Sequence, residues 1–108
     1  MTLDQLDPVL VQPKRLAALG IIASLKEVEF TFVRDQLSVS DSDLSKQMRS
    51  LTEAGYVDSR KTGKGKERTT WFAATEIGRQ ALDTHAAALR ALIAPPPPTA
   101  AQQARAPK

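Results

Sequence analysis

Leu44, Met48 and Leu51 recur at i, i+4 and i+7, a single apolar stripe at helical period, with Ser42, Ser45, Lys46 and Arg49 on the opposite side. The stripe predicts a helix over residues 40–54. Ser40 is placed to accept a free backbone N–H of the first turn, and Asp43, three residues on, to reach back as a Ser-x-x-Asp capping box. Gly55 stands where a left-handed residue ends a helix, so the stop is expected near Ala54. Beyond it the pattern turns to strands. Tyr56-Val57 opens one that runs to about Lys61, Thr62-Gly63-Lys64-Gly65 makes a tip, and Thr69-Thr70-Trp71-Phe72 is a β-branched and aromatic return. Trp71 and Phe72 alternate faces there, and one of them is expected in the core.

Upstream, Pro13 suits the first position of a helix because its missing N–H is not needed there. Leu16, Leu19 and Ile22 make the stripe of that helix, widened by Ala17, Ala23 and Leu25. Gly20 in its middle costs about 1 kcal/mol against alanine, which suggests close approach by another element. Val28-Glu29-Phe30 reads as a brief third strand. Thr31 is expected to cap a short helix ending at Leu37, with Val33 and Leu37 on one face. Only Ser38-Val39 separates it from the helix over 40–54, and two helices joined so tightly form a helix-turn-helix, Val39 plugging the angle.

Downstream, Thr75 caps a long helix from Glu76 to about Ala94. Leu82, Ala86, Leu89 and Ile93 share one stripe, and Ala81, Ala88, Ala91 and Leu92 widen it beyond what one small domain covers. Residues 1–12 form an arm with Leu3, Leu6 and Leu10 at i, i+3 and i+7. Arm and terminal helix together suggest a homodimer seam through Leu3, Leu6, Leu10, Leu82, Ala86, Leu89 and Ile93; the alternative is a helix lying flat on its own core. Pro95 to Pro98 end the helix, and residues 95–108 read as a disordered Pro/Ala-rich tail. The fold class that follows is mainly α with a small β-wing: a winged helix-turn-helix over residues 13–94, with added N- and C-terminal dimerisation helices, the latter at 75–94.

Length and charge sharpen this reading. A chain of 108 residues is one domain plus tails. Its net charge of +3 is modest but uneven: from Lys46 to Arg68 there are seven basic residues against three acids. The absence of cysteine excludes disulfides, thiolate metal sites and thiol redox sensing. No apolar run approaches the roughly 18 residues of a membrane span, and the N-terminus lacks a signal-peptide pattern, so a cytoplasmic protein is expected. His85 has no Ser, Cys or paired carboxylate spaced to work with it. Gly63-x-Gly65 joins two strands rather than a strand to a helix, which excludes a phosphate-cradling loop. Asp41, Asp43 and Glu53 match no standard metal spacing. Neither an enzyme nor a metal or cofactor is expected.

A helix with a polar, cationic outward face followed by a basic hairpin fits double-stranded DNA, helix 40–54 in the major groove and wing 57–73 along the backbone. Ser42, Ser45, Lys46 and Arg49 are the candidates for base edges and near phosphates, Arg49 for guanine because its planar fork donates two bonds. Arg60, Lys61, Lys64, Lys66 and Arg68 on the wing, with Arg34 on the preceding helix, are the candidates for phosphates. Asp41 and Asp43 count against this, since carboxylates repel phosphate. A charged hairpin tip alone reads more readily as a solvated loop, and it is helix, stop and wing in this order that reverse the balance. The rival readings are a winged-helix module docking its basic hairpin on an acidic protein surface, and a single-strand or RNA binder.

From about Asp7 to Ile93 the chain resembles the small winged-helix regulators grouped near the MarR-like and ArsR-like transcription factors. The carrying segments are PKRLAALGIIASL, Phe30-x-x-x-Arg34-Asp35-Gln36-Leu37, the run from Ser40 to Val57, the wing from Arg60 to Phe72, and Thr75-Glu76-x-Gly78-Arg79. The resemblance implies a homodimer with one recognition helix per half-site and terminal helices at the interface. A small-molecule effector, where there is one, would then lie between the wing-bearing core and the dimer helices. The chain departs from the metal-sensing branch, having no Cys and only His85.

Overall fold

The structure, a computed structural model, describes residues 3–94. The expected disordered tail, 95–108, lies outside the described residues. A 3-10 turn (Leu3–Gln5) leads into α1 (Pro13–Ala23), β1 (Val28–Glu29), α2 (Phe30–Leu37), α3 (Asp41–Glu53), β2 (Val57–Thr62), β3 (Thr69–Ala74) and α4 (Glu76–Ile93), with a second 3-10 turn (Gly65–Glu67) at the hairpin tip.

The ends of these elements follow from side-chain and backbone chemistry. Pro13 opens α1 as expected, and the Gln12 side chain accepts from Lys14 N at 2.6 Å. Ser40 caps α3, its hydroxyl accepting from Asp43 N at 3.1 Å. At the other end Gly55 turns left-handed at φ +80°, and Tyr56 N donates to Leu51 O (3.0 Å) while Gly55 N donates to Thr52 O (2.9 Å). Those two bonds are a Schellman stop. Thr75 serves twice: its hydroxyl accepts from Gly78 N at 2.9 Å and donates to Gly55 O at 2.6 Å, tying the start of α4 to the end of α3.

Three local expectations are corrected. The capping box is half-made, because the Asp43 carboxylate bonds to Lys14 and Gln47 instead of reaching back. Helix α2 begins at Phe30 with Glu29 as its cap residue, and the Thr31 hydroxyl bonds to the Glu29 carboxylate at 3.2 Å rather than to the helix. Gly20 faces open space; the close approach is at Gly78, where a Cβ would overlap the backbone carbonyl of Tyr56.

The sheet is antiparallel in the order β1-β3-β2, with Val28 opposite Phe72, Glu29 opposite Trp71, and Arg60 opposite Trp71 on the other side. Alternation sends Val28, Phe72 and Val57 inward. They close over Leu19 and Ile22 of α1, Val33 of α2, and Leu44 and Leu51 of α3 in one core. Each such side chain, fully buried, stabilises the fold by about 1.5–3 kcal/mol.

The arm belongs to this core. Leu10, expected at a dimer surface, is wholly buried inside its own chain and has no surface left for a second copy. Leu82 likewise packs partly on the core, while Leu3 and Ile93 stay 68% and 81% exposed. Asp7 N donates to His85 Nδ1 at 2.9 Å, which leaves the imidazole proton of the neutral ring on Nε2. The Tyr56 hydroxyl donates to the Asp7 carboxylate, whose bond, negative charge and partial burial push the Tyr56 pKa up to about 12. Arm, hairpin base and α4 are thus joined by one polar chain.

Candidate nucleic-acid interface

The stripe of Leu44, Met48 and Leu51 rotates α3 so that Ser42, Ser45, Lys46 and Arg49 are all exposed. Gln47 joins the buried side, donating to Asp43 Oδ1 at 3.0 Å. The two carboxylates that counted against a phosphate-binding face are answered by cations from earlier helices. Arg34 Nη1 of α2 donates to Asp41 at 2.9 Å and its Nε to Asp35 at 3.0 Å. Lys14 at the start of α1 pairs with Asp43. That hydrogen bond, with the one from Gln47, holds the Asp43 carboxyl below its ordinary range, and the bond to Asp41 raises Arg34. Arg34, expected on a phosphate, is therefore held within the helix-turn-helix, where it offsets the Asp41 carboxylate in the first turn of α3.

The hairpin sorts its cations by strand alternation. Lys61 pairs with Thr70 and Ser59 with Phe72, which sets Ser59 and Lys61 on the side facing α3. Between α3 and the hairpin lies a groove of about 360 Å³, walled by Ser45, Arg49, Thr52, Ser59, Lys61 and Thr70 and floored by Phe30, Met48 and Phe72. No carboxylate lines it. Arg60 is on the other face, where it donates to both Glu27 oxygens (3.0 and 2.7 Å) and lies over the Trp71 ring, 5.9 Å from its centroid. Arg60, expected on a phosphate, is thus paired with Glu27 on the face away from the groove.

At the tip Gly63 and Gly65 take φ +80° and +58°, and a Cβ on Gly63 would overlap the Glu67 carbonyl. The turn they make displays Lys64, Lys66 and Arg68, exposed and, among the described residues, in no ion pair. Lys46, Arg49 and Lys61 are likewise without an ion-pair partner there. Among the described residues six free cations therefore flank the groove and hairpin edge; Asp41 and Asp43 in the first turn of α3 are paired, while Glu53 and Glu67 are exposed without an ion-pair partner. Sequence reading missed Thr52, Ser59 and Thr70, since small polar residues carry no local signal. It also missed the Lys14–Asp43 pair, which spans 29 positions.

Among the described residues no group of His, Cys, Asp and Glu could hold a metal ion, and no helix is long and apolar enough to cross a membrane. Residues 14–93 match the family described as winged helix DNA-binding domain. A transcriptional regulator homologue from Pyrococcus horikoshii OT3 has a similar structure, at TM-score 0.72 and 21% identity over 79% of this chain and 84% of that one. So do ZitR of Lactococcus lactis, a zinc-responsive MarR family member (TM-score 0.57, 21% identity, 69% of this chain), and Bacillus subtilis PadR bound to operator DNA (0.61, 18%, 82%). The chain spans about half the length of those last two, 51% and 52%. No curated protein sequence matches it.

Proposed function

This chain belongs to the winged helix DNA-binding domain family, and from that premise we propose that it is a sequence-specific regulator of transcription that binds double-stranded DNA as a homodimer. In this reading α3 enters the major groove, presenting Ser42, Ser45, Lys46 and Arg49, and the hairpin follows the backbone. Lys61, Lys64, Lys66 and Arg68 neutralise phosphates, while Arg34 and Arg60 position the elements that do so. The observation that carries the reading is the carboxylate-free groove between α3 and the hairpin, with unpaired Arg49 and Lys61 on its facing walls. Operator DNA on the PadR fold supports it. The exposed face of α3 bears no Leu, Phe or Tyr of the kind that would anchor a protein partner, which weighs against a docking module.

Dimerisation would use the exposed Leu3 and Ile93 with the half-buried Leu6, Ala86 and Leu89 beside them, and would set half-sites about one turn, roughly 34–36 Å, apart. Response to a small-molecule effector completes the reading. The test is duplex binding at two salt concentrations, on a fragment selected from genomic DNA and on a random one. Arg49→Ala should lose about 1–3 kcal/mol on the selected fragment and little on the random one. Lys64→Ala should weaken both alike and lower the salt slope by about 0.9. Equal losses for Arg49→Ala on both fragments would remove its role, and no binding to either at low salt would overturn the whole reading.

A further inference from the structure

The opposite face of the wing carries a second groove that DNA binding does not use. It has a volume of about 470 Å³, within the range of small-molecule sites, and lies between α2 and the outer face of the sheet. Its apolar walls are Leu25 and Phe32, 42% and 44% exposed, together with the half-buried Trp71. Its charged groups are all acids, Glu27, Glu29 and Asp35, with the Thr31 hydroxyl beside them. Glu27 is paired with Arg60 and Asp35 with Arg34. Glu29 is half-buried, accepts only from the Thr31 hydroxyl, and among the described residues has no cation within ion-pair distance.

The sheet already holds one cation on this surface. Glu29, Trp71 and Arg60 form one cross-strand row: carboxylate, indole, guanidinium. Arg60 lies against Trp71 while Glu27 holds it from the side. On one flank of the indole a cation is thus already held by an aromatic face and a carboxylate. On the other flank Glu29 repeats the carboxylate, Phe32 and Leu25 add apolar surface, and no cation lines the groove; Arg68 shares a separate cleft with Glu29 but is outside ion-pair distance. An anion would meet Glu29 and Asp35. A neutral apolar molecule would bury Glu29 without compensation, which is costly.

We propose that the groove between Phe32 and Trp71 is a binding site for a lipophilic cation, a monovalent ammonium or phosphonium on an aromatic or aliphatic body, with its charge facing Glu29. Trp71 and Phe32 supply cation–π attraction and apolar burial, and Glu29 supplies the counter-charge. Binding itself does not depend on DNA. Only its consequence, an effect on the wing through the β3 strand that carries Trp71, rests on the function proposed above.

Trp71 is the chain's single tryptophan, so its emission reports the site directly. The full chain, without DNA, is titrated with tetraphenylphosphonium and, separately, with tetraphenylborate, ions of one shape and opposite charge. Saturable change in Trp71 emission is expected with the cation, at least about tenfold tighter than with the anion. Glu29→Gln and Phe32→Ser should each weaken the cation severalfold while far-UV circular dichroism and the melting midpoint stay near those of the parent. No saturable response to the cation, equal response to both ions, or affinity indifferent to both substitutions would overturn the proposal. Because no duplex is present, none of these results bears on the DNA reading, and failure of duplex binding would leave this site standing.

Discussion

Gly78 shows how much one missing atom can decide. Its Cα lies against the Tyr56 backbone, so the start of α4 can dock on the turn that ends α3 only because no Cβ intervenes. Gly78→Ala should destabilise the fold by about 1–3 kcal/mol in urea unfolding, despite alanine's better helix propensity. Gly20→Ala, in open space, should stabilise by several tenths to about 1 kcal/mol. Tyr56 makes a different kind of claim. Its folded pKa of about 12 lies above the ordinary 10.0, so the native state holds the phenolic proton more tightly than the unfolded chain does. That contribution is complete below pH 10 and is lost as pH rises from there through about 12. Comparing wild type with Tyr56→Phe across this window cancels the lysines that titrate in both. The wild type should lose more stability with rising pH, and parallel curves would count against the Tyr56–Asp7 bond.

Strand alternation, more than cation number, decides what the hairpin can do. From Arg60 to Arg68 five of nine residues are basic, and in the sequence they look equivalent. The β2–β3 register separates them: Lys61 faces α3, and Arg60 faces Glu27 and Trp71. Lys61→Ala should therefore flatten the salt dependence of duplex binding by about 0.9, whereas Arg60→Ala should leave that slope unchanged. Equal slopes for the two variants would mean that Arg60 leaves Glu27 when DNA arrives. Helix α3 was legible almost to the residue, because its cap, stripe and glycine stop are local features. The pairing of its acids was not, because Lys14 and Arg34 reach them from other helices.

At the level of the assembled chain, the arm changes meaning. Its leucine spacing was consistent with a surface for a second copy, but Leu10 completes the core and Asp7 links Tyr56 to His85. Removing residues 1–12 should therefore unfold the domain rather than yield a clean monomer. A sharper test of the proposed dimer is Ile93→Asp, at a site 81% exposed. Size-exclusion chromatography should show it shifting from dimer to monomer with an unchanged melting midpoint at low concentration. If the parent chain runs as a monomer, the seam is elsewhere or absent.

The order of helices and strands, the caps at Ser40 and Thr75, the stop at Gly55 and the exposed polar face of α3 all follow from residues within a few positions of one another, and these could be read from the chain alone. Periodicity and capping are short-range, so neighbours suffice to specify them. Which cations remain free, which glycine is indispensable and whether a leucine faces a partner or the core depend on groups far apart in sequence. Only folding brings those together. Lys14 meets Asp43, Glu27 meets Arg60, and Asp7 meets His85 across gaps that no local pattern spans.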